Sequence, residues 1–363
     1  MDLLIVAGEH SGDEHAARLV RELRAKNPGC TIAALGGPEL AAAGAQLLHN
    51  LTSSSVVGLF EVLRNYPFFR RLFCETLRWI AEHSPRAVCF VDYPGFNLRL
   101  AAALRGRGLS VKGGGGVKLL YYISPQIWAW KPQRRFSMAR DLDAMAVIFP
   151  FEAACYADTS LPVEFVGHPF AAPDYVPPVR HDPAGPVLLL PGSRTQAVAR
   201  IFPVLLEGFG KFGRREAVVL YPSGEILAVL RAANPPAGVR LLPTGEPVAA
   251  SAVLTSSGTM SMHCALAGVP GAIAYRTNPL TYLLGRMLVK VRYIGIANLL
   301  LGEPMYPEYI QGAATPAALA AELESCLGDP GRRARTAEQA VRLRAKLGEP
   351  AGGTAADWLA RHL

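Results

Sequence analysis

The run Phe90-Val91-Asp92-Tyr93-Pro94-Gly95-Phe96-Asn97 carries an apolar stretch straight into a carboxylate. A carboxylate at the end of a buried strand can take the proton of a sugar hydroxyl that attacks an anomeric carbon, if it lies within hydrogen-bond reach. The competing reading is that Asp92 caps a helix beginning near Gly95. A second stretch, Ala7-Gly8-Glu9-His10-Ser11-Gly12-Asp13, reads as a turn between a strand and a helix starting near Glu14. Its two glycines let a ligand approach the backbone beside the free N–H groups of a helix start, or they serve helix–sheet packing. The spacing is not G-x-G-x-x-G.

Two further turns suit phosphate. Leu190-Pro191-Gly192-Ser193-Arg194 brings an arginine, whose planar fork pairs with phosphate oxygens, although a capping Ser193 beside a solvated Arg194 reads equally well. Thr255-Ser256-Ser257-Gly258-Thr259 is a hydroxyl-rich turn of the kind that cradles a diphosphate. No Gly-Lys-Ser/Thr is present, so ATP hydrolysis by a Walker loop is not expected. His10, Asp13, Glu14 and His15 do not form H-E-x-x-H, and a turn would point them apart; His15 is expected on the helix surface. His168 is expected to make a structural hydrogen bond. Trp128 and Trp130 read as a platform for a sugar or acyl chain, or as packing.

Something must hold these residues in place. Short apolar runs at 3–7, 31–35, 87–92, 117–122, 144–149 and 163–166 alternate with helical patterns, as in a parallel sheet covered on both faces. A proline-rich stretch follows, and the alternation restarts at 187–190, 217–221, 239–242, 252–255 and 271–275. The expected fold is α/β, with two Rossmann-like, doubly wound parallel-sheet domains facing a cleft. The expected domains are 1–170, a linker 171–183, a second domain 184–340, and terminal helices 341–363 that either stay with the second domain or pack back on the first. Gly113 to Gly116 reads as a flexible turn.

Composition agrees with such a fold. Of 363 residues half are hydrophobic and 18% charged, which excludes a disordered chain. The six cysteines show no C-x-x-C pair and read as reduced thiols of a cytosol. The acid at position 2 and the short first apolar run read as a strand rather than a signal peptide, and no apolar run approaches the ~18 residues of a spanning helix. The net charge of +8 calls for an anionic partner. That charge is dispersed and no recognised nucleic-acid module appears, so nucleic acid is not expected.

Taken in order, these pieces resemble the lipid-A-disaccharide synthases, glycosyltransferases of the GT-B type. Matching stretches are Ala7-Gly8-Glu9-x-Ser11-Gly12-Asp13, Gly58-x-x-Glu61-Val62-Leu63, Asp92-x-Pro94-x-Phe96-Asn97, Ser124-Pro125-x-x-Trp128-Ala129-Trp130, Phe149-Pro150-Phe151-Glu152, Val166-Gly167-His168-Pro169, Pro191-Gly192-Ser193-Arg194, Ser257-Gly258-Thr259, Asn298-Leu299-Leu300 and Glu308-x-x-Gln311. They span nearly the whole chain.

The resemblance implies an inverting transfer of diacylglucosamine from its UDP derivative to diacylglucosamine 1-phosphate, giving a β-1,6-linked disaccharide and UDP, with no metal or other cofactor. It implies catalysis by Asp92 with Glu9 and Ser11 on the acceptor side. Gly12, Asn97 and Trp128 would line the acceptor or acyl cleft. Arg194, Ser257, Gly258, Thr259, His263, Asn298, Glu308 and Gln311 would hold UDP. His263 stands where many members have Glu, Gly95 where they often have Asp, and Ala197 where they carry an acid.

Acylated substrates imply an anionic membrane surface, at the cytoplasmic face of the inner membrane. From Leu59 to Ile80 aromatics alternate with arginines, among them Phe68, Phe69, Arg70, Arg71 and Phe73, as in an interfacial helix. The competing reading is an amphipathic helix burying its aromatics against the sheet. The competing functions are a UDP-sugar epimerase or hydrolase of the same fold and an inactive nucleotide- or lipid-binding relative. The reading is compatible with an oligomer.

Overall fold

A computed structural model describes residues 1–51, 66–213, 216–288 and 291–363. The motif Gly58 to Leu63 and the start of the expected interfacial segment lie outside the described residues. The chain divides into two compact units, Met1–Ala172 with Glu349–Leu363, and Pro173–Gly348.

In the first unit, seven parallel strands run in the order β3-β2-β1-β4-β5-β6-β7. They are β1 Leu3–Ala7, β2 Ile32–Gly36, β3 Gln46–Asn50, β4 Ala87–Val91, β5 Lys118–Tyr122, β6 Ala144–Val147 and β7 Val163–Phe165. Every residue of β1, β2 and β4 is buried, because helices cover both faces of a parallel sheet and leave no polar side. Strand β3, Gln-Leu-Leu-His-Asn at the sheet edge, lacks that apolar continuity and was not expected. The helices among the described residues are α1 His10–Lys26, α2 Pro38–Ala42, α3 Tyr66–His83, α4 Pro94–Gly106 and α5 Arg134–Asp141. Gly115 is packed rather than flexible: a Cβ there would lie 2.3 Å from the Leu109 carbonyl oxygen.

In the second unit, six parallel strands follow the order β11-β10-β9-β13-β14-β15. They are β9 Val187–Leu190, β10 Ala217–Tyr221, β11 Val239–Pro243, β13 Ala252–Thr255, β14 Gly271–Tyr275 and β15 Glu308–Ile310. β8 Val179–His181 and β12 Val248–Ala250 form a separate two-stranded sheet. Part of the expected linker is therefore a strand of the second unit. The helices are α6 Thr195–Phe212, α7 Gly224–Ala232, α8 Thr259–Leu266, α9 Pro279–Leu288, α10 Ile296–Leu301, α11 Pro316–Gly328 and α12 Pro330–Leu347.

The last helix, α13 Ala355–His362, belongs to the first unit. Trp358 is 1% exposed, Lys26 pairs with Asp357, and Arg361 reaches Glu164 at 2.5 Å. Residues 341–348, expected with the terminal helices, end α12 and stay with the second unit, where Leu343 and Leu347 are buried.

Candidate functional site

Each sheet changes direction of winding once. In the first unit that point lies between β1 and β4, in the second between β9 and β13. At such a point the loops leaving the two strands diverge to opposite faces and open a crevice at the strands' carboxyl ends. The sequence puts Glu9 just after β1, Asp92 after β4, Arg194 after β9 and Ser257 after β13.

Asp92 and Tyr93 follow each other in the left-handed region, at φ 46° and 49°, and Tyr93 is the N-cap of α4. Asp92 does not stand at the capping position. Its peptide is fixed on three sides. Its N–H donates to the Tyr122 carbonyl at 3.0 Å, and its own carbonyl accepts from the Tyr121 hydroxyl at 2.6 Å and from Asn97 Nδ2 at 2.8 Å. The Asp92 side chain stays half-exposed. A Cβ on Gly8 would lie 2.2 Å from the Tyr93 ring, so glycine lets that ring cover the turn after β1.

Other expected residues take different places. α1 begins at His10, not near Glu14, because Ser11, Gly12 and Asp13 already wind into its first turn. Glu9 is its half-exposed N-cap and Ser11 is half-exposed. Gly12 is buried against the sheet, and a Cβ there would stand at ordinary contact distance, 3.7 Å from the Val91 carbonyl oxygen. Asn97 is wholly buried, and its amide also donates to Val6 O at 3.3 Å, which makes it a brace for Asp92 rather than a cleft residue. Asp13 is buried and accepts from the N–H groups of Gly37, Glu39 and Leu40 at 2.7, 3.0 and 3.3 Å, neutralising the start of α2.

His15 is half-buried beside Phe170 instead of lying on the surface, and burial pushes its pKa down to about 4. No group of three or more His, Cys, Asp or Glu placed to hold a metal is found among the described residues. His168 is buried and its Nδ1 accepts from the Phe170 N–H at 3.1 Å.

Trp128 is half-buried, and its indole donates to Glu152 Oε1 at 3.2 Å. Glu152 is 2% exposed, and its other oxygen accepts from the Phe149 N–H at 3.1 Å. Burial pushes its carboxyl up to about 7; those two donors pull the other way and the nearby Asp92 adds to the rise. The motif containing Glu152 was legible, but burial and the Trp128 bond required the fold.

In the second unit, Gly192 has φ 111°, and a Cβ there would lie 3.1 Å from Ser256 Oγ, so the two phosphate-suited turns touch. Arg194 is the exposed N-cap of α6, and Gly258 is the exposed N-cap of α8. Neither helix has a side-chain cap or an acid in its first turn. Ser257 is half-exposed and Thr259 exposed beside them. Two helix starts and a guanidinium there present N–H donors and positive potential to an anion.

His263, one turn further along α8, is buried, stacked on Tyr175 at 11° between planes, with its Nδ1 2.5 Å from the Tyr175 hydroxyl. Tyr175 lies within the expected linker, 171–183. Asn298 is wholly buried: its Oδ1 accepts from Met305 and Tyr306 N–H at 2.9 Å, and its Nδ2 donates to Tyr306 O at 2.7 Å and Glu308 Oε1 at 2.8 Å. Glu308 also accepts from Ile294 and Gly295 N–H, at the start of α10. Gln311 clamps the Thr277 peptide through both amide atoms at 3.1 Å. Asn298, Glu308 and Gln311 thus shape loops, and Asn298 presents no surface to a ligand. Gly95 is exposed with open space at its Cβ position.

The expected interfacial aromatics are drawn inward. Phe68, Phe69 and Phe73 pack against the first core, Phe73 edge-on to Phe96 at 5.7 Å and Phe68 on His49 at 5.4 Å. Arg70 and Arg71 are exposed, Arg71 pairing with Glu75 at 2.7 Å. No helix among the described residues is long and apolar enough to cross a membrane.

A family model described as lipid-A-disaccharide synthetase matches residues 3–211 and 245–359. The chain belongs to the lipid-A-disaccharide synthetase family. A lipid-A-disaccharide synthase of Geobacter metallireducens is 37% identical over 95% of this chain and 93% of its own length. Among solved structures, a candidate UDP-N-acetylglucosamine 2-epimerase of Listeria monocytogenes matches with a TM-score of 0.62 and 12% identity, over 99% of this chain and 94% of its own. CalG4, the calicheamicin glycosyltransferase, matches with a TM-score of 0.58 and 17% identity, over 100% of this chain and 98% of its own. These likenesses show the GT-B fold, which transferases and epimerases share; the family distinguishes them.

Proposed function

We propose that this enzyme transfers 2,3-diacylglucosamine from its UDP derivative to 2,3-diacylglucosamine 1-phosphate, with inversion, in lipid A biosynthesis. The observation that carries the reading is a half-exposed carboxylate on a braced peptide at one switch point and two uncapped helix starts with Arg194 at the other, in a chain of this family. Asp92 takes the proton of the acceptor 6-hydroxyl as its oxygen bonds to the anomeric carbon. The bond from that carbon to UDP breaks, and UDP leaves with the electron pair. The growing diphosphate charge is met by Arg194 and the N–H groups beginning α6 and α8, so the reaction needs no metal.

Glu9 and Ser11 lie on the acceptor side, while Ser257, Gly258, Thr259 and His263 contact UDP. Trp128 walls the acceptor site. The acyl chains bring the enzyme to the anionic cytoplasmic face of the inner membrane as a peripheral protein.

The test is UDP release by purified protein given the diacylated donor, with and without the diacylated 1-phosphate acceptor. Acceptor-dependent release with a disaccharide product is expected. Release without acceptor would indicate a hydrolase or epimerase, and donor binding without release an inactive relative.

A further inference from the structure

Three neighbouring strands of the first sheet, β4, β5 and β6, lead at their carboxyl ends to Asp92, to the stretch 124–130 and to the short turn Pro150–Tyr156. Glu152, in that turn, accepts from two donors through different oxygens: the Trp128 indole N–H meets Oε1 and the Phe149 N–H meets Oε2. The second bond is half of a capping box, in which glutamine serves as well as glutamate. A buried carboxyl is costly where a neutral amide would do, and Glu152 also feels Asp92, a like charge. The first bond accounts for the acid. Glutamine has one acceptor oxygen, so with the Phe149 N–H satisfied its NH2 group would face the indole N–H, donor against donor.

Trp128 is thereby held on two sides. Its N–H points to Glu152, and Phe151 packs edge-on against its ring at 5.6 Å and 76°. The ring remains half-exposed, while the single donor an indole carries is already engaged. Trp130, two residues on, is 36% exposed with Lys131 and Arg134 over its ring, so the two tryptophans of the motif are held differently.

We propose that Glu152 is a positioning residue for Trp128, fixing the indole so that its ring face, and not its N–H, meets the acceptor. An aromatic face suits the C–H side of a pyranose or an acyl methylene and donates no hydrogen bond to a hydroxyl. This rests on the reading that Trp128 walls the acceptor site, but the bond to Glu152 is tested without substrate.

The full chain is labelled with 5-fluorotryptophan, and the fluorine resonance that disappears in Trp128→Phe is assigned to Trp128. Glu152→Gln is expected to shift that resonance while those of Trp79 and Trp358 stay in place. In steady-state kinetics Glu152→Gln should raise the acceptor KM roughly tenfold and lower kcat by less than about threefold. In the Trp128→Phe background, where no indole donor remains, the same substitution should raise the acceptor KM by less than about twofold. An unmoved Trp128 resonance would overturn the proposal, as would an equal rise in both backgrounds, which is what a capping role alone predicts. If Glu152→Gln does not fold, hydrogen exchange in the wild type decides. The Trp128 indole N–H should exchange at least about tenfold more slowly than that of Trp130, and equal rates overturn the bond. Absence of turnover in the wild type, with the resonance shift intact, would defeat the synthase reading and leave the bond standing.

Discussion

Two successive non-glycine residues at positive φ, Asp92 and Tyr93, cost of order 1–3 kcal/mol each, and such strain persists only where neighbours impose it. Asn97, Tyr121 and the Tyr93 ring over Gly8 do so here, at the residue proposed as base. Asp92→Asn keeps the shape and removes the base, so kcat should fall roughly 10²- to 10⁴-fold while calorimetric UDP affinity stays within about twofold. Glu152 gives a separate prediction. Its carboxyl titrates near 7 when folded, against an ordinary 4.5, so its contribution to stability is full below pH 4.5 and is lost as pH rises through 7, by up to about 3 kcal/mol. His15, lowered to about 4, acts in the opposite sense: its contribution is present above 6.5 and lost as pH falls toward 4. The difference between wild type and Glu152→Gln in urea unfolding isolates Glu152. It should shift in favour of the variant between about pH 4.5 and about pH 8. A constant difference would mean that Glu152 ionises normally.

Helices α11 and α12 are tied to the second sheet by one buried cation. Arg332, 7% exposed, donates to Gly271 O at 2.9 Å, Met305 O at 3.1 Å, Thr336 Oγ1 at 3.0 Å and Glu322 Oε1 at 3.2 Å. Arg332→Met leaves Glu322 buried without that partner and should cost about 3–5 kcal/mol in denaturant unfolding. Adding Glu322→Met should recover much of this loss, since the pair's desolvation is then avoided. No recovery would place the loss in the two carbonyl contacts. The loop before β15 shows the same device, with Asn298, Glu308 and Gln311 satisfying backbone groups that no strand or helix serves.

Across the whole molecule, α13 returns the end of the chain to the first unit and buries Trp358 there. Trp358→Ala should lower that unit's stability by about 3–5 kcal/mol. Calorimetric UDP binding, assigned to the second unit, should change little; a comparable loss of UDP affinity would mean that the tail also supports the donor site. Much of this architecture was legible in the sequence. Continuous apolar runs such as Leu3 to Ala7 and Val187 to Leu190 specify buried parallel strands locally, and the glycine and hydroxyl turns after them stand at the carboxyl ends of those strands. Gln46–Asn50 and Glu308–Ile310 escaped, since an edge strand and a three-residue strand owe their pairing to neighbours rather than to their own pattern. By itself the sequence determined the two sheets and the family, because each depends on residue type and spacing along the chain. Only the tertiary structure decided that Asn97 and Asn298 are buried in hydrogen-bond networks, and that Phe68 and Phe73 pack on the first core while Trp130 is exposed. Burial and hydrogen-bond partnership come from residues distant in sequence, which no local pattern records.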